Sequence, residues 1–471
     1  MDFSKLSIEE IHDGVVAQKF TSVQVLKYFI SQCEKYKDLN AIIEVFSDCL
    51  DKAREVDEKI ASGKKVGKLA GVPVAIKDNI MYKGHRVSCA SKFMKDFIAP
   101  YSATIVEKLL QEDAIIFART NMDEFAMGGS TEKSYYGACH NAIDPLFVAG
   151  GSSGGSAVAV AKGLTPVAIG TDTGGSIRQP ASFNGIVGIK PTYGSVSRYG
   201  IIAYASSLDQ ASPLAKTTED CKYVFDIIAG KDSKDLTTIA KKTTFVARKK
   251  YKIGVCKQIL ESLEKMKGYK NFISAIQKAQ EFFDFVYVDV KHLPNVLACY
   301  YIIAPAEAAS NLARFDAVKY GTRNDNTKTL KDVYVKSRSD GFGKEVKRRI
   351  MLGNYVLSSG YFDAYYNKAK KLQNLIKHEF TKAFEECDAI ILPTTPYTAF
   401  KIDEKMQDPV TMYLEDLFTV PANIAGIPAI SVPYAKAENG LPLGMQFLAK
   451  HRDDDMLFDL AEKFMQVMEV K

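Results

Sequence analysis

The spacing of apolar residues divides the chain near residue 60 into a helical front part and a longer, alternating part. Before residue 60, apolar side chains such as Val23 and Leu26 recur every three or four residues, as on one face of a helix. Ser7 and Thr21 each precede an acid or amide by three residues, a pattern typical of helix starts. We therefore expect residues 1–60 to form a helical N-terminal part that packs on the main body.

Beyond residue 72, short β-rich runs alternate with helical stretches. The predicted strands are 72–76, 114–118, 165–170, 252–256, 285–290, 389–392, 429–432 and 444–448. The predicted helices are 103–112, 158–162, 217–229, 269–283, 294–315, 343–358 and 361–386. This alternation predicts an α/β fold with a mixed central β-sheet covered by helices on both faces. The sequence has no internal repeat or low-complexity linker, so we expect 1–471 to form a single domain, with 231–252 as a surface excursion.

Composition excludes several classes of protein. The chain has 471 residues, 46% of them hydrophobic, and a net charge of +6, which is ordinary for a soluble globular protein. Its densest basic patch, Lys241, Lys242 and 248–250, lacks the interleaved aromatics typical of an RNA-binding face, and we interpret it as a solvated loop. The eight cysteines are scattered without metal spacing, so we expect reduced packing residues. Because no apolar run is long enough for a membrane span, we expect a cytoplasmic location without membrane contact.

Three separate motifs carry candidate chemistry. Ser152 and Ser176 lie in two Gly-rich segments, 150–156 and 171–176, and Lys77 ends a predicted strand. A serine hydroxyl is a weak nucleophile until a base takes its proton. A second hydroxyl can accept one proton and donate another. Ser176 as nucleophile, Ser152 as relay and Lys77 as base can therefore work without histidine.

Other interpretations of these motifs exist. An exposed lysine at a strand end is commoner than a catalytic one, and Lys77 can act as a base only if burial lowers its pKa from about 10.4. Segment 151–155 also matches the G-x-S-x-G elbow centred on Ser153, but that elbow needs a later catalytic histidine, and no later histidine stands in such a setting. We instead expect Ser153 to cap the following helix. The Gly-rich segments lack the G-K-[ST] of a phosphate-binding loop.

The order and type of the three motifs resemble the amidase signature family, over about residues 69–444. The resemblance implies a Ser–cisSer–Lys triad of Ser176, Ser152 and Lys77, with a cis peptide bond before Ser152. It also implies an oxyanion hole of backbone N–H groups from Thr173, Gly174 and Gly175, together with that of Ser176. We interpret Asp172 and Arg178, which flank this segment, as a pair that shapes the loop.

Segments 122–130 and 197–210 resemble, within this family, the branch that hydrolyses glutamine for tRNA-dependent amidotransferases. Glutamine carries an α-carboxylate and an α-ammonium, so its pocket needs a base and an acid. The resemblance implies Arg349 for the carboxylate and Asp416 for the ammonium, with Tyr300 and Ser130 also lining the pocket. The neighbouring Arg348 and Glu415 are alternatives that the sequence leaves open.

The same resemblance implies partners. Members of this branch form a heterotrimer with subunits B and C and supply ammonia for converting Glu-tRNA(Gln) to Gln-tRNA(Gln). ATP and Mg²⁺ are used on the B subunit, which also provides most of the tRNA contact. We therefore expect no cofactor or metal site in this chain. Two alternatives stay open: a free-standing amidase acting on a small amide, and a non-enzymatic RNA-binding or scaffold protein.

Overall fold

One mixed sheet of 11 strands runs through the part of the chain that the structure describes. The computed structural model describes residues 1–242, 245–264, 268–404 and 413–469. The strand order is β1-β3-β2-β4-β6-β5-β10-β11-β9-β7-β8. The strands are β1 Ile42–Val45, β2 Pro73–Lys77, β3 Ile115–Thr120, β4 Val167–Asp172, β5 Val187–Lys190, β6 Gln210–Ala215, β7 Lys252–Cys256, β8 Asp284–Val288, β9 Ala389–Pro393, β10 Ala429–Lys436 and β11 Pro442–Ala449. The predicted α/β fold with a mixed central sheet is therefore confirmed.

Helices cover the sheet on both faces. They are α1 Ile8–Val16, α2 Ser22–Lys35, α3 Cys49–Ala61, α4 Thr104–Gln111, α5 Gly154–Ala161, α6 Arg178–Asn184, α7 Thr218–Ile228, α8 Lys257–Leu263, α9 Tyr269–Ala279, α10 Val296–Leu312, α11 Leu330–Gly341, α12 Lys344–Leu357, α13 Lys368–Glu386, α14 Val420–Ala425 and α15 Asp454–Met468. A π-helical turn, Phe362–Asn367, leads into α13. Among the described residues, no helix combines the length and apolar character needed to cross a membrane.

The N-terminal part is not wholly helical, so that expectation was wrong for one segment. The capping boxes predicted at Ser7 and Thr21 are present at the starts of α1 and α2. The strand β1, however, follows α2 and pairs antiparallel with β3, with Val45 opposite Ala118. Three of the four residues of β1 are β-branched, and beside an open sheet edge they gain more from strand pairing than from one further helical turn. This strand makes the N-terminal part continuous with the central sheet, and the single-domain interpretation stays a prediction.

The parallel strands β2 and β4 position the candidate chemistry. Both strands are buried along their full length, as expected for strands covered on two faces. They are neighbours, and their last residues are Lys77 and Asp172. Carboxyl ends of neighbouring parallel strands meet at one edge of a sheet, where α/β proteins place their ligands. The predicted base and the Gly-rich segment of Ser176 therefore start from the same edge.

Close packing explains the Gly-rich segment 150–156, which carries Ser152. It forms the start of α5, a buried helix of small residues that packs on strands β2, β3, β4 and β6. A Cβ added to Gly155 would lie 2.5 Å from the Ala41 carbonyl oxygen and from the Asn121 backbone nitrogen. Only glycine fits such an approach, so α5 can bring Ser152 down to the ends of β2 and β4.

The basic segment behaves as a solvated surface. Within the predicted excursion 231–252, the described residues 231–242 and 245–251 form no helix or extended strand pairing, and Lys252 begins β7. Residues 243 and 244 lie outside the described residues. Lys241, Lys242 and Lys250 each form an ion pair with a surface carboxylate. Charges that are already paired to protein carboxylates favour the solvated-loop interpretation over a dedicated RNA face.

All eight cysteines are buried and free of disulfide bonds. They serve as small apolar packing residues, as the sequence predicted.

Candidate active site

The amino group of Lys77 lies in a cluster of hydroxyl groups. Its side chain is fully buried. The Nζ atom donates hydrogen bonds to Ser152 Oγ at 2.8 Å, Ser153 Oγ at 2.9 Å and Thr171 Oγ1 at 2.9 Å. Three hydroxyl acceptors match the three donors of an ammonium group. Lys77 is therefore not an exposed lysine at a strand end.

Burial changes the protonation of Lys77. It lowers the pKa of the lysine to about 7, although the carboxylates of Asp123, Asp172 and Asp209 act in the opposite direction. The direct partners of Nζ are neutral hydroxyls, which solvate the ammonium less well than water does. A neutral amine is thus accessible near neutral pH, as a general base requires.

The two residues after Lys77 hold its turn by hydrogen bonds. The Asp78 carboxylate accepts hydrogen bonds from the backbone N–H groups of Ser88 and Ala90 and pairs with Arg119. The Asn79 side chain donates to Thr171 Oγ1 at 3.0 Å. Because Thr171 is itself a partner of Lys77, Asn79 helps to orient the hydroxyl cluster.

Ser152 follows a cis peptide bond to Gly151, as the family resemblance implied. Its hydroxyl is fully buried against Lys77. Ser176 is 7% exposed, and its carbonyl oxygen accepts the Ser153 N–H at 3.1 Å. No hydrogen bond joins the hydroxyls of Ser152 and Ser176 within the part of the chain described. A hydrogen bond thus joins Lys77 directly to Ser152. Ser176 is connected to this cluster through the backbone N–H of Ser153.

Ser153 stands at the N-cap of α5, but its hydroxyl does not cap the helix, so that expectation was wrong. The hydroxyl donates to the Thr171 carbonyl at 3.0 Å and accepts from Lys77. These buried partners at the strand end compete for the oxygen, and the Gly154 N–H bonds to Thr131 Oγ1 instead. With lysine and threonine as its partners, Ser153 lacks the arrangement of a nucleophile elbow.

The turn that carries Ser176 is built around a buried ion pair. Arg178 Nε and Nη2 donate to Asp172 at 3.0 and 3.1 Å, and the Asp172 carboxylate accepts the N–H groups of Gly175 and Ile177. Burial raises the pKa of Asp172, but the Arg178 charge outweighs it and brings the pKa to about 2. Gly175 has a φ of +128°, which an L side chain rarely adopts. Asp172 and Arg178 therefore shape this turn, as predicted.

The predicted oxyanion donors differ in whether a protein group already accepts their hydrogen bond. The Gly175 N–H points to Asp172 at 2.9 Å, so it already has a protein acceptor. The Thr173 hydroxyl donates to Asp209 at 2.6 Å, which fixes the start of the turn. Of the four N–H groups expected to bind an oxyanion, those of Thr173, Gly174 and Ser176 are the better candidates.

Tyr300 and Ser130 adjoin the two Gly-rich segments. Tyr300, on α10, packs against Gly174, where an added Cβ would lie 2.6 Å from the ring atom Cζ. Ser130 is buried beside Gly151, where an added Cβ would lie 2.8 Å from the Ser130 nitrogen. The Tyr300 ring and the Ser130 backbone are therefore near the proposed reaction centre.

Arg349 is a buried cation among tyrosines. It lies on α12, and its Nη1 donates to the Tyr204 hydroxyl at 2.6 Å. Its guanidinium carbon lies 5.4 Å from the centre of the Tyr204 ring and 5.7 Å from those of Tyr301 and Tyr413. Aromatic faces attract a guanidinium. Arg349 is therefore fixed in an apolar setting where its charge can bind an anion strongly.

Asp416 contacts Tyr301, one of the tyrosines around Arg349. The Tyr301 hydroxyl donates to Asp416 Oδ2 at 2.6 Å. Burial raises the pKa of Asp416 to about 7, against the hydrogen bond from Tyr301 and the charge of Arg349. Tyr301 thus contacts both charged groups, and it is joined edge-on to Tyr300 with ring centres 5.0 Å apart. Tyr300 and Tyr301 thus form an aromatic wall beside the turn of Ser176, and the opposite charges of Arg349 and Asp416 lie around it.

The structure separates the adjacent residues that the sequence left open. The Arg348 side chain is 49% exposed, whereas that of Arg349 is 5% exposed. The helix turns successive residues to different faces, and Arg349 shares the inner face with Glu345, one turn earlier. Asp416, rather than Glu415, is the carboxylate that accepts from Tyr301.

Four residues of this region were not identified from sequence: Thr171, Tyr204, Tyr301 and Glu345. Glu345 precedes Arg349 by one helical turn, so helical spacing could have suggested it. Tyr301 is adjacent to Tyr300, and neighbouring residues on a helix point in different directions, so spacing gave no signal for it. Thr171 and Tyr204 lie within segments 171–176 and 197–210, which the sequence did single out, but their individual contacts depend on long-range packing.

The family model for amidases matches residues 24–458. The chain therefore belongs to the amidase signature family, whose members are amidases. It is 46% identical over 480 residues to the A subunit of glutamyl-tRNA(Gln) amidotransferase from Clostridium botulinum, covering 99% of this chain and 98% of that protein. It is 47% identical over 468 residues to the corresponding protein of Pelagibacter ubique, covering 98% and 96%.

Solved structures give the same picture. The A subunit of glutamyl-tRNA(Gln) amidotransferase from Thermotoga maritima is 37% identical, with a TM-score of 0.79 and coverage of 99% of this chain and 95% of that one. Peptide amidase from Stenotrophomonas maltophilia is 25% identical, with a TM-score of 0.83 and coverage of 100% and 98%. The fold is thus shared across the family, while the higher sequence identity lies with the amidotransferase subunits.

Proposed function

We propose that this chain hydrolyses the side-chain amide of glutamine and supplies ammonia to a tRNA-dependent amidotransferase. The observation that carries this proposal is the pair of opposite charges, Arg349 and Asp416, around Tyr301. Glutamine offers complementary charges at its α-carbon, and its carboxamide lies at the far end of the side chain. The neighbouring Tyr300 packs on Gly174, so an amino acid held by this pair can direct its amide to Ser176.

The chemistry begins with a proton transfer. Neutral Lys77 takes the proton of Ser152, and Ser152 takes that of Ser176 as the Ser176 oxygen attacks the carboxamide carbon. The carbonyl oxygen becomes an oxyanion, which the N–H groups of Thr173, Gly174 and Ser176 stabilise. The tetrahedral intermediate then collapses, the C–N bond breaks, and the leaving nitrogen takes a proton back through Ser152 from Lys77. Ammonia leaves a γ-glutamyl ester on Ser176.

Water completes the cycle by the same relay. Lys77, again neutral, accepts the proton of an attacking water through Ser152. The second tetrahedral intermediate expels the Ser176 oxygen, which regains a proton. The products are glutamate and free enzyme, and all atoms of glutamine and one water are accounted for in glutamate and ammonia.

The ammonia has a use only in a larger assembly. We propose that the chain works in a heterotrimer with subunits B and C in the cytoplasm. ATP and Mg²⁺ are used on the B subunit, where Glu-tRNA(Gln) is converted to Gln-tRNA(Gln) and most of the tRNA is bound. Similarity to amidotransferase subunits along nearly the full chain supports these partners.

A substrate panel tests the proposal. Ammonia release by the purified chain, alone and with partner subunits, is measured with glutamine, 4-aminobutanamide and glutaramic acid. The second compound lacks only the α-carboxylate of glutamine, and the third lacks only the α-ammonium. We expect glutamine to have much the highest kcat/KM. Equal kcat/KM for all three would overturn the proposal and favour a free-standing amidase, and no ammonia release under any condition would favour a scaffold protein.

A further inference from the structure

Glu345 is a buried carboxylate in direct contact with the proposed carboxylate-binding arginine. Its side chain is 4% exposed, and its Oε1 accepts the Arg349 Nε–H at 2.9 Å. The two residues are one turn apart on α12, with the acid on the N-terminal side, which is the favourable order for such a pair. The Tyr413 hydroxyl also donates to Oε1, at 3.2 Å. No step of the proposed reaction uses this carboxylate.

The charges around Glu345 are unbalanced. Arg349 and Arg348 both bond to it, and Lys133 Nζ lies 3.8 Å from its Oε2. One carboxylate therefore serves three cations, and its charge is not directed at Arg349 alone. Arg349 is the most buried of the three and contacts the aromatic wall. Glu345 thus pairs with the arginine without cancelling the attraction of this region for a substrate carboxylate.

The hydrogen bonds fix the orientation of the guanidinium group. Arg349 donates from Nε to Glu345 and from Nη1 to the Tyr204 hydroxyl. The guanidinium is planar, so two bonds in its plane on different nitrogens set both its tilt and its rotation. They therefore also set the position of Nη2. Truncation of Glu345 would leave the group held by Tyr204 and ring stacking, about which it can rotate.

We propose that Glu345 is a positioning residue that orients Arg349 to bind the α-carboxylate of the substrate, and so helps to select glutamine over amides without a carboxylate. This inference rests on the proposed function. It assigns Glu345 a role in specificity, with no contact to the reacting amide.

Glu345 stays ionised over the working pH range. Burial raises its pKa, but the nearby charges of Arg349 and Lys133 outweigh burial and bring the pKa to about 2. The folded-state pKa is depressed, so the stabilising pair is present at neutral pH and is lost only as pH falls towards 2. The effect of removing Glu345 should therefore be the same from pH 6 to pH 9.

The test compares glutamine with 4-aminobutanamide in Glu345→Gln, Glu345→Asp and Glu345→Ala. We expect Glu345→Gln to lower kcat/KM for glutamine roughly 10- to 100-fold, mainly through KM, because a charge-assisted hydrogen bond is replaced by a neutral one. Turnover of 4-aminobutanamide should change by less than about twofold, and Glu345→Asp should recover part of the glutamine preference. Glu345→Ala should have the largest effect on glutamine.

Lys347→Ala is the matched control on the same helix, since its ammonium bonds to the Ser339 carbonyl at the surface. We expect this variant to keep the wild-type ratio between the two substrates. An equal loss of both substrates in the Glu345 variants would mean a purely structural residue and would overturn the inference. Activity on 4-aminobutanamide also reports folding, so a misfolded variant is recognised directly.

The panel separates failure of the inference from failure of the proposed function. If Arg349→Ala loses the preference for glutamine and Glu345→Gln keeps it, the proposed function stands and the inference is wrong. If Arg349→Ala itself keeps that preference, the proposed carboxylate site is wrong, and the inference falls with it.

Discussion

Lys77 and Arg349 are both buried cations of this chain, and their surroundings give them opposite properties. Lys77 is surrounded by three neutral hydroxyls, and burial lowers its pKa to about 7. Arg349 faces Glu345 and three tyrosine rings, and although burial opposes its charge, these neighbours raise its pKa well above the usual range. The same burial thus yields a group that can release its proton and a group that cannot.

In the proposed reaction, Lys77 and Arg349 belong to different parts of the fold. Lys77 and the turn of Ser176 are held at the ends of two central strands, where the backbone determines the geometry. Arg349, on α12, and Asp416 lie outside the sheet. Side-chain hydrogen bonds to tyrosines hold both of them. Reaction chemistry and substrate choice should therefore respond separately to mutation, which the following predictions test.

The largest effect is expected on the sheet side, from Ser176→Ala. Loss of the nucleophile should reduce glutamine hydrolysis by roughly 10⁴-fold or more. The fold should persist, since one oxygen is removed from a turn held by Asp172 and Arg178. Mass spectrometry of a trapped acyl-enzyme locates the ester, and finding it on Ser153 would contradict the assignment.

Lys77→Arg should be almost as damaging as Lys77→Ala, with losses of roughly 10²- to 10⁴-fold. Arginine keeps the positive charge but cannot serve as a base. In the wild type, kcat/KM for glutaramic acid should rise with pH through about 7, because the neutral fraction of Lys77 increases. Stopped-time ammonia assays across pH give the profile. Near-normal turnover of the arginine variant would make Lys77 an electrostatic group only.

The kcat/KM for glutamine should rise more steeply with pH than that for glutaramic acid, because Asp416 must also ionise to bind the ammonium and its pKa is about 7.

Arg349→Ala and Asp416→Ala should each lower kcat/KM for glutamine roughly 30- to 5,000-fold, corresponding to about 2–5 kcal/mol for a buried charge partner. The double variant should lose the preference for glutamine over a simple amide such as butyramide. If both substrates suffer equally, the two residues are structural.

The smallest effect is expected from Arg348→Ala. Its side chain is half-exposed, and exposed ion pairs contribute about 0–1 kcal/mol. The kcat/KM for glutamine should therefore fall by no more than about fivefold. A loss as large as that of Arg349→Ala would reverse the choice between these neighbours, and both variants are assayed side by side.

Sequence predicted the parts of the fold that have a strong local pattern. The apolar runs of β2 and β4 were found because buried parallel strands are continuously hydrophobic. The strands β5 and β6 were missed: β5 has four residues, and β6 contains Gln210, Ser212 and Pro213. They become strands by pairing with each other and with β4 and β10, which are distant in sequence.

The candidate site divides in the same way. The motifs around Lys77, Ser152 and Ser176 are contiguous and could be recognised, and the structure brings the first two into direct contact. Arg349 could not be separated from Arg348, because only the packing of α12 decides which one turns inwards. Glu345 carries no motif. Its spacing on the helix is compatible with ion pairs to Arg348 and Arg349, but only the folded structure places Lys133 beside it as well.

The buried Arg178 has a consequence for the timing of assembly during translation. Besides Asp172, it bonds to the Thr419 carbonyl at 2.8 Å, to Asn423 at 2.7 Å and to Gln446 at 3.0 Å. These partners follow Arg178 by 241 to 268 residues in the sequence. The turn of Ser176 therefore cannot be completed in this form on a nascent chain that ends before Gln446. Hydrolytic competence should arise only after Gln446 has left the ribosome, so translation products truncated before it would not release ammonia on their own.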